Sequence, residues 1–214
     1  MRFLPYGDSA VLVEIGDVEE GEVDVLRLSA SAAGAIGVVE AVPAARTVLV
    51  EFDPRLTSIE RLEDTIARDA PKQTTPAQAA LSPGRAGRGE VVSIDVRYDG
   101  ADLAQVAREV GLSVEEVIRR HAAPTYLVAF CGFAPGFAYL AGLDPSLRVG
   151  RMSQPRAMVP AGSIGIAGEF TGVYPRSSPG GWRLLGRTTA TLWDPSRTAP
   201  ALLAPGTSVR FSIT

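Results

Sequence analysis

The chain has 214 residues, 46% hydrophobic and 21% charged, with a formal net charge of −3, a length that accommodates one large domain or two small ones. That balance disfavours intrinsic disorder and general nucleic-acid binding. One cysteine, Cys131, and one histidine, His121, exclude an intrachain disulfide, a multi-cysteine zinc site and any centre built on two imidazoles, and no metal site is expected.

The opening stretch MRFLPYGDSAVLVEIGD alternates and breaks at Gly7-Asp8, unlike a signal or transit peptide. No apolar run reaches the ~18 residues of a membrane span. With a single unpaired thiol, these features point to the cytoplasm and away from a membrane. Strands are expected at Arg2–Tyr6 and Ala10–Ile15, then a helix over Val23–Ala33 stopped by Gly34 and Gly37. Short β-branched runs follow at Val38–Val42 and Thr47–Phe52. A second helix opens at Ser58, with Ile59, Leu62 and Ile66 on its apolar face. Residues 1–70 therefore read as a small α+β domain.

Residues 71–89 carry three prolines and three glycines without periodicity, as an interdomain linker would. The second domain, residues 90–214, opens with an alternating strand at Glu90–Tyr98. Two short helices come next, Ala101–Val110 and Val114–Arg120, the latter capped by Ser113 with Glu116 at the capping-box position. Their spacing suits a helix-turn-helix DNA reader, but Glu115 and Glu116 would face phosphates, so the pair reads as packed helices. The clearest strands beyond are Tyr126–Phe130, Ser163–Ala167, Thr189–Leu192 and Ser208–Ile213, separated by loops rich in Gly and Pro.

Eleven of the 22 glycines and seven of the 16 prolines fall in residues 124–186, a concentration that fixes turns and brings backbone close to a ligand. Within it Arg148, Arg151, Arg156, Arg176 and Arg183 meet only two local acids, Asp144 and Glu169. Guanidiniums on tight loops suit a carboxylate or phosphate ligand, and equally well make ordinary salt bridges. The aromatics Phe133, Phe137, Tyr139, Tyr174 and Trp182 suit either a pocket wall or a core. Cys131 has no base beside it in sequence, and reads as a small core residue. His121 falls at the end of its helix, where the dipole favours the protonated ring. No phosphate-binding P-loop occurs, and the single lysine, Lys72, lies in the linker.

The ordered motifs His121-Ala-Ala-Pro-Thr-Tyr126, Gly132-Phe-Ala-Pro-Gly-Phe-Ala-Tyr-Leu-Ala-Gly-Leu143, Pro155-Arg156, Val159-Pro-Ala-Gly-Ser-Ile-Gly-Ile-Ala-Gly168, Thr171-Gly-Val-Tyr-Pro175, Ser178-Pro-Gly-Gly-Trp182 and Gly186-Arg-Thr188 resemble the allophanate hydrolase subunit 1 family. That family includes the B component of 5-oxoprolinase and the kinase inhibitor KipI, and is similar to half of a carboxyltransferase domain. The resemblance implies an N-terminal α+β sandwich domain followed by a C-terminal cyclophilin-like β-barrel. It implies a polypeptide inactive alone that works with the C component of 5-oxoprolinase, a homologue of allophanate hydrolase subunit 2, and with the A component. Together they would open 5-oxo-L-proline to L-glutamate with hydrolysis of ATP. The other branches it leaves open are a KipI-like inhibitor of a sensor histidine kinase and a carboxyltransferase-type polypeptide of urea or allophanate metabolism.

Carried over position by position, the resemblance nominates His121, Arg156 and Ser163 as catalytic candidates. Its ligand-binding candidates are Tyr126, Gly132, Phe133, Pro135, Gly136, Phe137, Pro160, Gly162, Thr171, Gly172, Tyr174, Gly180, Gly181, Trp182, Arg187 and Thr188. Arg156 and Arg187 are expected to hold a carboxylate or phosphate, and His121 to move a proton or donate to an oxyanion. The Gly162-Ser163 and Gly180-Gly181 turns are expected to present backbone N–H groups. Two positions depart from the family pattern: Phe170 stands where Gln is expected, and Gly150 where Pro is usual.

Overall fold

The computed structural model describes residues 1–15, 28–29, 32–69 and 91–214. Cα positions cluster into two compact units, Met1–Ala86 and Gly87–Thr214. The expected linker, 71–89, lies outside the described residues, as does part of the helix expected at Val23–Ala33, of which Leu28, Ser29, Ala32 and Ala33 are helical.

In the first unit, β1 (Arg2–Pro5), β2 (Ala10–Glu14), β3 (Val38–Pro43) and β4 (Thr47–Phe52) form an antiparallel sheet in the order β1-β2-β4-β3. Period-two alternation puts Val11, Val13, Val48, Val50 and Phe52 on one face, where they pack with Leu28, Ala32 and with Leu62 and Ile66 of α1 (Ile59–Asp69). The Arg61 N–H donates to the Ser58 hydroxyl at 3.5 Å, which opens α1 at the expected residue.

The second unit runs β5 (Val92–Val96), α2 (Leu103–Glu109), α3 (Val114–Ala122), β6 (Thr125–Cys131), β7 (Ala138–Ala141), β8 (Arg156–Val159), β9 (Ser163–Ala167), β10 (Phe170–Val173), β11 (Ser178–Gly180), β12 (Arg183–Arg187) and β13 (Ser208–Ile213). Seven of these strands make one sheet in the order β12-β9-β10-β7-β6-β13-β5, in which β13 and β5 run parallel. Its two edges meet: the Arg97 and Arg187 N–H groups each donate to the other's carbonyl at 2.9 Å, so the sheet nearly closes into a barrel. β8 and β11 form a separate two-stranded ribbon.

The strand expected at Thr189–Leu192 is not formed; the chain pairs earlier, at Arg183–Arg187. Past Arg187 the backbone leaves the ladder, with the Thr188 N–H donating to the Gly162 carbonyl and the Ala190 N–H to the Thr188 hydroxyl. Strands β7, β8, β10 and β11 occupy what reads in sequence as Gly/Pro-rich loop, being only three or four residues each. The two helices are packing elements, α2 against β12 and α3 against β13. The Glu116 N–H donates to the Ser113 hydroxyl at 3.1 Å as expected, while the Glu116 carboxylate binds Arg119 and Arg120 instead of turning back on the cap. Those two guanidiniums hold its pKa down at about 2.

Asp102, at the start of α2, is buried and divides its carboxylate between two partners. One oxygen accepts from Arg156 of β8 at 2.6 Å and the other from the Leu184 N–H of β12 at 2.7 Å. One side chain thus fastens the β8/β11 ribbon and α2 to the barrel wall. Asp102→Ala leaves a largely buried guanidinium and a buried N–H without their acceptor, a loss of about 2–4 kcal/mol by the usual cost of breaking such pairs. Urea unfolding followed by tryptophan fluorescence measures it; a change below about 0.5 kcal/mol, the level of an ordinary surface substitution, contradicts the tie.

Candidate ligand site

A cleft of about 460 Å³ opens beside the ribbon, lined by Phe133, Phe137, Tyr139, Gly150, Arg151, Ala167, Gly168, Phe170, Tyr174, Gly180 and Trp182. Its size falls in the ~300–1,000 Å³ range of small-molecule sites. The floor is an apolar cluster of its own, distinct from the barrel core, in which Phe137 stands edge-to-face with Tyr139, Tyr174 and Trp182 at centroid distances of 5.1, 5.3 and 5.4 Å. Gly172 permits this arrangement, because a Cβ there would press on Trp182 and Phe137 at 3.2 and 3.3 Å. Gly180 has no room for a side chain beside the Tyr174 hydroxyl.

The loop from Gly132 to Phe137 closes on itself, the Gly132 N–H donating to the Phe137 carbonyl at 3.2 Å and the Phe137 N–H to the Ala134 carbonyl at 2.9 Å. Phe133 sits in it with φ of +68°, the one non-glycine residue with positive φ among those described, and its ring is exposed at the cleft mouth. A side chain costs about 1 kcal/mol or more in that conformation, so the loop holds Phe133 outward against its own preference. The charge in the lining comes from Arg151. Among the described residues no carboxylate or imidazole lines the cleft. Burial raises the hydroxyl pKa of Tyr139 and Tyr174, opposed at Tyr174 by a hydrogen bond from the Trp182 backbone N–H and at both by the Arg151 charge, so both phenols stay protonated through neutral pH.

The sequence matches the family described as the carboxyltransferase domain, subdomain C and D, over residues 1–203. The chain belongs to this family. Among curated relatives of this family, the B component of 5-oxoprolinase from Escherichia coli O157:H7 is 39% identical over 213 residues, covering 96% of this chain and 92% of its own. The crystal structure of TTHA0988 superposes with a TM-score of 0.74 at 40% identity, covering 96% of this chain and 40% of the other, so the present chain spans about two fifths of that one. The urea amidolyase of K. lactis shares the fold of this chain, with a TM-score of 0.69 at 20% identity over 99% of this chain and 15% of the other.

The family motifs divide in space. Phe133, Phe137, Tyr174, Gly180 and Trp182 line the cleft, with Gly132, Pro135 and Gly136 in the loop that carries two of them, Gly172 beneath the floor, and Gly181 next to Arg151. The other candidates lie elsewhere. Arg156 is taken by Asp102, and Arg187 pairs with Asp99 at 2.7 Å. The Gly162 and Ser163 N–H groups donate to the Tyr174 and Pro160 carbonyls, so that turn presents no free donor. Gly162 at φ +78° lets Thr188 approach, and Pro160, Gly162 and Thr188 form a junction at the Ser163 end of β9. The Tyr126 hydroxyl is buried and donates to the His121 carbonyl at 2.6 Å.

His121 is fully buried inside the barrel, stacked on Phe211 at 4.9 Å. Its Nε2 lies 2.8 Å from the Thr171 hydroxyl, which itself donates to the Gly165 carbonyl at 3.1 Å. Thr171 therefore accepts from Nε2–H, and Nδ1 accepts from the Tyr98 hydroxyl at 2.7 Å. Both nitrogens are spent on neutral partners, and desolvation lowers the pKa to about 3. Burial overrides the helix-end dipole that favours protonation in the sequence reading.

Of the remaining liners, Tyr139, Ala167 and Gly168 lie within the family motifs but are not among the binding candidates carried over from them, and Gly150, Arg151 and Phe170 lie outside those motifs. The arginine-biased stretch carries the signal for Arg151, flanked by Gly150, but its five arginines are indistinguishable until their partners are known. Arg183 bonds Glu109 at 3.1 Å, and Arg156 bonds Asp102, both acids lying outside residues 124–186.

His121 also sets a pH dependence. Above pH 6.5 the ring is neutral in both states and its contribution is complete; between 6.5 and 3 only the unfolded chain binds the proton, so stability falls on acidification. The slope approaches about 1.4 kcal/mol per pH unit. Urea unfolding between pH 7.5 and 4.5 measures the slope, and the ring C2 proton of the single histidine should show no titration in the folded chain over that range. A midpoint near 6.5 in the folded chain contradicts the buried neutral ring.

Proposed function

We propose that the chain is the B component of an ATP-dependent 5-oxoprolinase, acting with the C and A components to open 5-oxo-L-proline to L-glutamate. The observation that carries this reading is the 39% identity to the E. coli protein of that name across nearly the full length of both chains. The cleft supports it chemically. A five-membered lactam is small, flat and partly apolar, and aromatic walls with a guanidinium at the edge suit such a ring bearing a carboxylate.

A lactam carbonyl is a poor electrophile. Transfer of the ATP γ-phosphoryl group to its oxygen releases ADP and activates the ring carbon. One water adds there, and the tetrahedral adduct expels the ring nitrogen, which takes up a proton; the acyl phosphate left behind is hydrolysed by a second water to the carboxylate and phosphate. Among the described residues the cleft lining offers one guanidinium and no second cation, which does not fit a triphosphate, so we assign ATP to another part of the complex. Among the same residues the lining has no general base: its two tyrosines are held protonated and it has no carboxylate or histidine. This supports a chain inactive alone, whose partners complete the site. The same reading places the complex in the cytoplasm, with a barrel of the cyclophilin-like kind.

Purified chain mixed with the A and C components should release ADP and glutamate when 5-oxo-L-proline is added, and omission of this chain should abolish both. Absence of product from the complete mixture contradicts the assignment. Turnover of urea-derived substrates in its place moves the chain to the carboxyltransferase branch.

A further inference from the structure

We propose that Arg151 is the anion-receiving residue of the aromatic cleft, and that the cleft takes a small flat ring carrying one carboxylate. The proposal rests on the reading of this cleft as the substrate site. Among the described residues two other arginines of this stretch are bound, Arg156 to Asp102, and Arg183 to Glu109 and, through Nε, to the Gly150 carbonyl at 3.3 Å, while Arg148 lines the adjoining hollow with Glu169. No hydrogen bond or ion pair with the described residues holds the Arg151 guanidinium, which is exposed at the cleft wall.

Its backbone, by contrast, is fixed. The Met152 N–H donates to the Gly181 carbonyl at 2.8 Å, Arg183 donates to the Gly150 carbonyl, and the Gly168 N–H donates to the Val149 carbonyl at 2.8 Å. A Cβ on Gly181 would lie 3.7 Å from Arg151 Nε, an ordinary contact distance, which places the guanidinium stem alongside the ribbon. A loose cation on a pinned backbone, beside ring walls, is an arrangement that a ligand completes.

The chemistry of the ligand follows from the walls. Aromatic faces alone would also suit a cation, but the fixed positive charge of Arg151 opposes one. One guanidinium matches one negative charge and planar bidentate geometry. The adjoining hollow carries Arg148 and Glu169 together and so offers no net charge to an anion. Phe170, in place of the Gln of the family pattern, packs edge-to-face on Tyr139 at 5.8 Å and makes that side of the cleft apolar. Ring recognition here is therefore by shape, with the charge read by Arg151 and hydrogen-bond donors available from the protonated Tyr139 and Tyr174 hydroxyls.

Isothermal titration of the full chain tests this with 5-oxo-L-proline, cyclopentanecarboxylate, 2-pyrrolidinone and ATP as probes. The two carboxylates should bind at least ten-fold more tightly than 2-pyrrolidinone. Arg151→Ala should erase that preference, Arg151→Lys should keep part of it, and Arg176→Ala, outside the cleft lining, should leave it intact. The proposal is overturned if Arg151→Ala keeps the preference, if it weakens only ATP, or if no probe binds. Arg151-dependent binding of cyclopentanecarboxylate with no binding of 5-oxo-L-proline upholds the anion site and rejects the oxoprolinase reading. Unchanged kcat and KM for 5-oxo-L-proline in a reconstituted complex carrying Arg151→Ala does the reverse.

Discussion

The cleft depends on one buried carboxylate. Asp102 accepts simultaneously from Arg156 and from the Leu184 N–H, and so joins the ribbon of β8 and β11 to the barrel strand β12 at the point where α2 begins. The ribbon brings Gly180 to the cleft and Gly181 to the Met152 N–H, and that contact holds the backbone next to Arg151. A charge buried among apolar strands is stable only when both its oxygens are satisfied. The pairing therefore dictates where the ribbon can dock, and with it the shape of the cleft.

A second polar chain lies inside the barrel and has a different task. Tyr98, His121, Thr171 and the Gly165 carbonyl pass hydrogen bonds from one to the next, linking α3 to β10 and β9 across the core. Every member is neutral and satisfied, which lets a histidine replace apolar packing without an unpaired group. The motif residues thus sort into those that lock the barrel and those that shape the cleft. Among the described residues the cleft is lined by rings, two protonated phenols and one guanidinium, with no carboxylate or imidazole.

The sequence was readable where its pattern is local. Thr47–Phe52, Ser163–Ala167 and Ser208–Ile213 alternate or run apolar over five or six residues and form strands with those boundaries. The Ser113 cap is set by a three-residue spacing and is present. Strands β7, β8, β10 and β11 were obscured because each is short and contains or borders Gly or Pro, so tertiary pairing and not propensity forms them. Aromatic liners such as Phe137 and Trp182 were legible as motif members. The different fates of Arg151 and Arg156 were not, since they turn on Asp102, 54 residues before Arg156 in the chain.

Under the proposed function the ligand binds on the ring cluster around Trp182, and the chain's two tryptophans allow a direct test. Trp193→Phe leaves Trp182 as the single indole. With that residue labelled as 7-azatryptophan in this chain alone, its red-shifted emission stands apart from any tryptophan of the C and A components, and should change on addition of 5-oxo-L-proline to the complex with a saturable dependence that coincides with turnover. An emission that stays constant through saturating turnover would place the substrate elsewhere and contradict the account.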